Sequence, residues 1–308
     1  MAENPHVFGG DWTDKKLTIL RDYLVAYTTA LSRQEFGKGY IDAFAGTGHR
    51  VPSSSAKLGE EERLRQEQES QQPSLFEADS NSESEGGFDF LDGSARIALQ
   101  CEPKFDRYIF IEKNSRRCAE LNHLKEDFPE LSDRIQIQEG DANVELQALC
   151  AGDWTNRRAV LFLDPYGTQV PWATIEAIAR TKAIDLWVLF PLSGVNRMLT
   201  KSGEIHPSWR RRLDELLGTT DWYDAFYKTV PRPSLLEEDA EEVVKVKTKV
   251  IAEYFVNRLR TCFAGVADNP VFLYNSRNSP LFLFCFAVGS PTGRGPALRI
   301  ASHILRRL

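Results

Sequence analysis

The sequence predicts an α/β fold in which a mostly parallel sheet is covered by helices on both faces. Three observations lead there. Apolar runs at Tyr108-Ile109-Phe110-Ile111, Ala159-Val160-Leu161-Phe162-Leu163 and Ile184 to Phe190 have the length and continuity of strands buried on both sides. Helical patterns lie between them, and parallel neighbours need such crossovers. Acidic residues and glycines follow successive strands, at the edge where open α/β sheets bind ligands.

The elements follow in chain order. Leu17, Leu20, Leu24, Tyr27 and Leu31 recur at steps of three and four, which predicts a helix over 13–32 capped by Asp11 or Thr13. Tyr40-Ile41-Asp42-Ala43-Phe44 reads as a buried strand running into Ala45-Gly46-Thr47-Gly48. Residues 51–87 are acidic, polar and nearly free of branched apolar residues; they cannot bury enough surface to offset chain entropy, which predicts a flexible insertion. Order resumes with a short helix capped by Asp92 or Ser94. After the strand at 108–112 come a helix from Ser115 to Phe128, a strand at 135–138 and a helix from Val144 to Cys150. The strand at 159–163, a helix over 171–180 and the strand at 184–190 complete the alternation. It then breaks over 193–242, read as a helical insertion capping the substrate side. A helix from Val243 to Phe263, strands at 271–274 and 281–288 and a helix from about Pro296 end the chain. With its antiparallel C-terminal hairpin, this order is that of a seven-stranded, Rossmann-like class I methyltransferase sheet within a single domain over 1–308.

Bulk composition narrows the function classes. The 308 residues are 42% hydrophobic and 27% charged, an ordinary globular balance. No apolar run is long enough to span a bilayer, and residues 1–10 carry no secretory pattern, which predicts a cytoplasmic chain that makes no use of a membrane. The five cysteines are scattered, without zinc spacing, so neither a disulfide framework nor a metal site is expected. A net charge of −6 speaks against wrapping nucleic acid over the whole surface and leaves room for a local basic patch.

The strand ends carry the chemistry. In Asp42-Ala43-Phe44-Ala45-Gly46-Thr47-Gly48 the glycines let backbone turn sharply and approach a ligand. The third glycine of a dinucleotide loop and the Gly-Lys-Ser/Thr of a Walker loop are both absent. Glu112, followed by Lys113, is placed to accept hydrogen bonds from ribose hydroxyls, and Asp141, followed by Ala142, from an adenine amino group. Any one such acid is as often a mere helix cap; the set at successive strand ends predicts an S-adenosylmethionine (SAM) site. Asp164-Pro165-Tyr166-Gly167 ends the fourth strand beside it. Asp164 or the Pro165 carbonyl would orient an exocyclic amine, and Tyr166 would face an unstacked base. Asn196 and Arg197, after the fifth strand, would line the same cleft. Arg197, Lys201 and Arg210-Arg211-Arg212, with Trp209 and Trp222, are candidates for contacting nucleic acid, although such a cluster is more often a solvated helix face.

With these residues assembled, the chain resembles the bacterial three-Cys-motif partner protein (TcmP) family. The matching stretches are Lys15-Lys16-Leu17 to Tyr27, Tyr40 to Gly48, Leu91-Asp92-Gly93-Ser94-Ala95, Phe110-Ile111-Glu112-Lys113 and Phe162 to Gly167. The resemblance implies a Rossmann-like methyltransferase fold and a partner carrying a three-cysteine, radical-SAM-like motif. The glycine loop also looks like that of amino-methylating DNA and RNA enzymes. Their Asp-Pro-Pro-Tyr loop lacks its second proline here, and Asp-Pro-Tyr-Gly is closer to the Asp-Pro-Phe-Gly of tRNA guanine-N2 methyltransferases. The expectation is a SAM-dependent N-methyltransferase acting on a nucleobase amine, with a non-catalytic, partner-binding accessory protein as the alternative.

Overall fold

A computed structural model describes residues 11–47, 49–50, 91–231 and 241–307. The insertion expected at 51–87 lies outside them, as does Gly48. Helix α1 (Asp11–Ala30) leads to strand β1 (Gly37–Asp42). After the gap come α2 (Ser94–Gln100), β2 (Arg107–Glu112), α3 (Ser115–Asn122), β3 (Ile135–Glu139), α4 (Ala142–Cys150), β4 (Arg157–Leu163), α5 (Trp172–Arg180) and β5 (Ile184–Phe190). Helices α6 (Leu192–Met198), α7 (Pro207–Leu217) and α8 (Trp222–Phe226) follow, then a hairpin pairing Tyr227–Pro231 with Glu241–Lys245. Helix α9 (Thr248–Cys262), β6 (Val271–Tyr274), β7 (Pro280–Val288) and α10 (Arg294–Leu305) complete the described chain.

The sheet runs β7-β5-β4-β1-β2-β3, with β6 on the outer side of β7. The five strands from β1 to β5 are parallel, whereas β7 is antiparallel to both β5 and β6. This is the Rossmann-like architecture with an antiparallel C-terminal end that the sequence predicts. A two-residue strand, Gly265–Val266, also pairs with β7, which gives this sheet eight strands among the described residues where seven are expected. Side chains alternate across the pleat. Leu161, Leu163, Leu186, Val188, Leu283 and Cys285 point into one core beneath α4, α5 and α9. Val160, Phe162, Trp187, Leu189, Phe284 and Phe286 point into the other, beneath α1 and α10. Both faces are thus buried, which is why the strands read as unbroken apolar runs.

Three local expectations change. The helix expected over 115–128 stops at Asn122, gives way to a single turn at Leu124–Asp127 and then to a 3₁₀ segment begun by Pro129. Residues 243–245, expected to open α9, are strand, which suits the β-branched pair Val243-Val244. The 193–242 segment, expected as a helical insertion, also contributes the strand Tyr227–Pro231, and its helices pack on the sheet. Leu213, Leu217, Trp222 and Phe226 join the same core as β4 and β5.

Gly218 ends α7 in the left-handed region at φ 65°, and a Cβ there would lie 2.2 Å from Cδ1 of the buried Trp172. Gly218→Ala is therefore expected to cost about 2–4 kcal/mol, from left-handed strain and overpacking together. Thermal unfolding followed by circular dichroism checks it; an unchanged midpoint contradicts it.

Candidate functional site

The chain leaves β1 toward β2 on one side and later returns through β4 on the other, so the C-terminal ends of β1 and β4 flank the topological switch point. The loop after β1 is tied to both neighbours. Ala43 N donates to Phe162 O at the end of β4 (3.2 Å), and Ala45 N to Ile111 O at the end of β2 (3.1 Å). Gly46 is left-handed at φ 61°, and among the described residues nothing lies within 4 Å of where its Cβ would sit. Gly167, in the loop after β4, has φ 64° and the same open space. Two glycines thus leave bare backbone in the loops on either side of the crevice.

The acids differ in what they do. Asp42 is wholly buried; its carboxylate accepts from Tyr40 OH (3.3 Å), Phe44 N (3.4 Å) and the Ser94 hydroxyl. Burial pushes it up to about 6, the charge on Asp164 adds to that, and the Ser94, Phe44 and Tyr40 hydrogen bonds oppose it. Asp42 thus shapes the loop that Phe44, Ala45, Gly46 and Thr47 form. Ser94 serves Asp42 and does not cap α2, whose N-cap, Gly93, offers no side chain.

Glu112 is buried and holds the loop from the other side. Its Oε2 accepts from Gly46 N (3.0 Å) and its Oε1 from Asn114 N (2.9 Å). A carboxylate has about four acceptor positions, so two remain for vicinal hydroxyls. Asp141 caps α4 by accepting from Asn143 N (3.0 Å) through Oδ1, so the common structural role of such an acid is present. Its Oδ2 stays at the crevice with the exposed Lys113 ammonium 3.9 Å away, and Ala142 packs beneath. Acceptors on β2 and after β3, beside bare backbone at Gly46, fit an adenosyl group.

Asp164 follows β4, and Lys16 of α1 donates to its Oδ2. Pro165 is buried, whereas Tyr166 is exposed. Arg117 of α3 bridges the crevice: its Nη1 donates to Tyr166 OH at 3.2 Å and lies 4.0 Å from Glu112 Oε1. Helix α6 abuts this loop, with Gly194 facing the Thr168 methyl. The Asn196 carbonyl on α6 accepts from Lys245 Nζ (3.0 Å), and Arg197 is exposed near the helix end. The structure thus brings β1, β2, β3 and β4 ends together, with Asn196 and Arg197 one helix away.

The two candidate stacking rings are taken up by the protein's own packing. Trp222 is fully buried, with its indole N–H donating to Asp214 Oδ1 (2.7 Å), and Trp209 packs against the core. Arg210 lies over the rings of Trp222 and Tyr223, and Arg212 pairs with Glu215. These residues stabilise the α7–α8 unit. Two site residues were missed, Lys16 and Arg117. The signal for Lys16 was its place on the apolar stripe of α1, one turn before Leu20; for Arg117 nothing in the sequence pointed to the crevice.

Among the described residues, no helix is long and apolar enough to cross a membrane. No protein-family model and no curated protein matches the chain, so its resemblance to the three-Cys-motif partner proteins stands as an expectation. Solved structures do align with it. A DUF519 protein from Legionella pneumophila shares 13% identity over 94% of this chain and 91% of its own, with a TM-score of 0.47. The N-terminal domain of EvdMO1, solved in the presence of S-adenosylhomocysteine (SAH) and D-fucose, shares 9% identity over 87% of this chain and 82% of its own (TM-score 0.36). A putative rRNA-methylase from Clostridium thermocellum shares 12% over 72% and 97% (TM-score 0.27). Similarity this loose assigns no activity, which has to be argued from the site.

Proposed function

We propose that this chain is a SAM-dependent N-methyltransferase acting on an exocyclic amine of a nucleobase in nucleic acid. The observation that supports the reading is Glu112 holding the Gly46 N–H beside the switch point of a parallel sheet, with Asp141 and Asp164 following the neighbouring strands β3 and β4. Glu112 would hold the ribose, Asp141 the adenine, and the 43–48 loop the remainder of the cofactor. When bound, SAM supplies a methyl group already activated by its sulfonium. The chain's own work is positioning. Asp164 accepts from the target amine and turns its lone pair toward the methyl group, Tyr166 offers a face to the base, and Gly167 keeps the approach open.

Calorimetry with SAH tests the cofactor step, and absence of heat at millimolar ligand sinks it. Glu112→Ala is expected to weaken SAH binding about tenfold to a hundredfold, as hydrogen bonds to a charged acceptor are lost; unaltered affinity removes Glu112 from the ribose site. Transfer of radiolabelled methyl from SAM to nucleic acid or protein of cells lacking the gene identifies the acceptor.

One feature favours the second reading, an accessory protein of a three-cysteine, radical-SAM-like partner. Val230 and Val244 are exposed on one face of the hairpin after α8. SAH binding without methyl transfer to any acceptor would favour this reading.

A further inference from the structure

Lys16 lies on the buried stripe of α1, and its side chain is 7% exposed. An ammonium taken out of water is costly unless it is paired. Its partner, Asp164, lies 148 residues away, and the Trp12 ring faces Nζ at 4.8 Å. Asp164 also feels the buried Asp42 carboxylate across the switch point. Two carboxylates at adjoining strand ends repel, and Lys16 offsets that repulsion while engaging one oxygen, Oδ2. Among the described residues no other donor engages the carboxylate, which leaves Oδ1 for a ligand. Pro165, next in the chain, has no N–H to offer. The end of β4 therefore presents acceptors: the Asp164 carboxylate and the Pro165 carbonyl.

We propose that Lys16 is the positioning residue of this site: by holding Asp164 through Oδ2 it sets Oδ1 as an acceptor, and so makes the end of β4 selective for an N–H donor over a carbonyl or ring-nitrogen acceptor. This rests on the N-methyltransferase reading above. On transfer, the amine nitrogen bonds the methyl carbon as the sulfur–methyl bond breaks, and the surplus proton on nitrogen leaves to water. Asp164 takes no part in the bonds that form and break, so its role is orientation.

The test compares wild type, Lys16→Met, Lys16→Arg and the double variant Lys16→Met/Asp164→Asn. SAH is the calorimetric probe, and tritiated SAM with total RNA and genomic DNA from cells lacking the gene is the transfer assay. Lys16→Met is expected to lower kcat about tenfold to a hundredfold. The SAH Kd and the KM for nucleic acid should stay within about threefold, because uniform binding is untouched. Lys16→Arg, which keeps the charge but shifts it, should fall between. The double variant should recover the thermal midpoint lost in Lys16→Met without recovering transfer. Wild-type kcat in Lys16→Met overturns the proposal, and so does loss of SAH binding in the folded variant, which would make Lys16 a cofactor ligand. If Lys16→Met does not fold, Lys16→Arg decides: a lowered kcat at unchanged KM supports positioning, and wild-type kcat overturns it. Wild-type protein that binds SAH but methylates no nucleic acid overturns the underlying reading and this proposal with it, before any variant is compared.

Discussion

Asp164→Ala is expected to lower methyl transfer at least about a hundredfold while leaving SAH affinity near wild type. The separation follows from where the side chain sits. Asp164 follows β4, in the loop that would face the acceptor, whereas the proposed adenosyl-holding positions Glu112 and Asp141 belong to β2 and the turn after β3. The substitution also strands Lys16, whose partner at this end of the sheet is Asp164. Breaking a partly buried pair from one side costs about 2–4 kcal/mol, so the alanine variant should melt earlier as well. Asp164→Asn keeps the shape and one carbonyl oxygen and should recover much of the stability, yet little of the transfer, because its amide offers a donor where an acceptor is needed. Measuring kcat, SAH Kd and thermal midpoint on both variants separates the effects. Loss of SAH binding in folded Asp164→Asn would move Asp164 into the cofactor site.

The second large effect concerns pH. Asp185 is buried under α1, accepting from Tyr23 OH (2.9 Å) and Gly289 N (3.1 Å). Burial raises it from 3.8 to about 6, against the pull of those hydrogen bonds, and Asp42 is raised equally far, also chiefly by burial. Both therefore bind protons more tightly folded than unfolded. Their contribution to stability is full below the unfolded value near 3.8 and is lost as pH rises through about 6. At about 1.4 kcal/mol per unit, each loses on the order of 3 kcal/mol across that window. Exposed carboxylates elsewhere act in the opposite direction, so the comparison has to be differential. Asp185→Asn should be less stable than wild type near pH 4, where the neutral acid serves Tyr23 and Gly289 well. By pH 7, where wild type carries a buried charge, the gap should shrink or reverse. A difference between the two proteins that does not vary from pH 4 to 7 counts against the assignment.

Most of the fold was legible because both faces of the sheet are covered. A strand with no solvated face is a short unbroken apolar run, and β2, β4 and β5 are such runs, each ending on or just before a polar loop. The helix of 115–122 was overestimated because the apolar pattern continues past His123, while the chain turns there toward Pro129. The hairpin after α8 was missed because its two strands are exposed and lack apolar alternation, apart from a few valines. Trp222 illustrates the opposite error. An aromatic in an Arg-rich stretch looks like a stacking platform, but its indole is buried on Asp214.

Linear order alone dictates the alternation of the sheet strands and their helices, the glycine loop after β1 and the acids at successive strand ends. These are local properties of apolar periodicity, backbone permissiveness and residue type. Which polar groups face one another follows from packing alone. Lys16 and Asp164, Gly46 and Glu112, Arg117 and Tyr166, and Tyr23 and Asp185 are far apart in the chain and meet because α1, α3 and the parallel strands are stacked on one sheet. Pairing energy depends on distance and burial, and neither is written in a linear spacing. The residues of the glycine loop and its acids could thus be named in advance, whereas the pairing of Lys16 with Asp164, 148 residues away, could not.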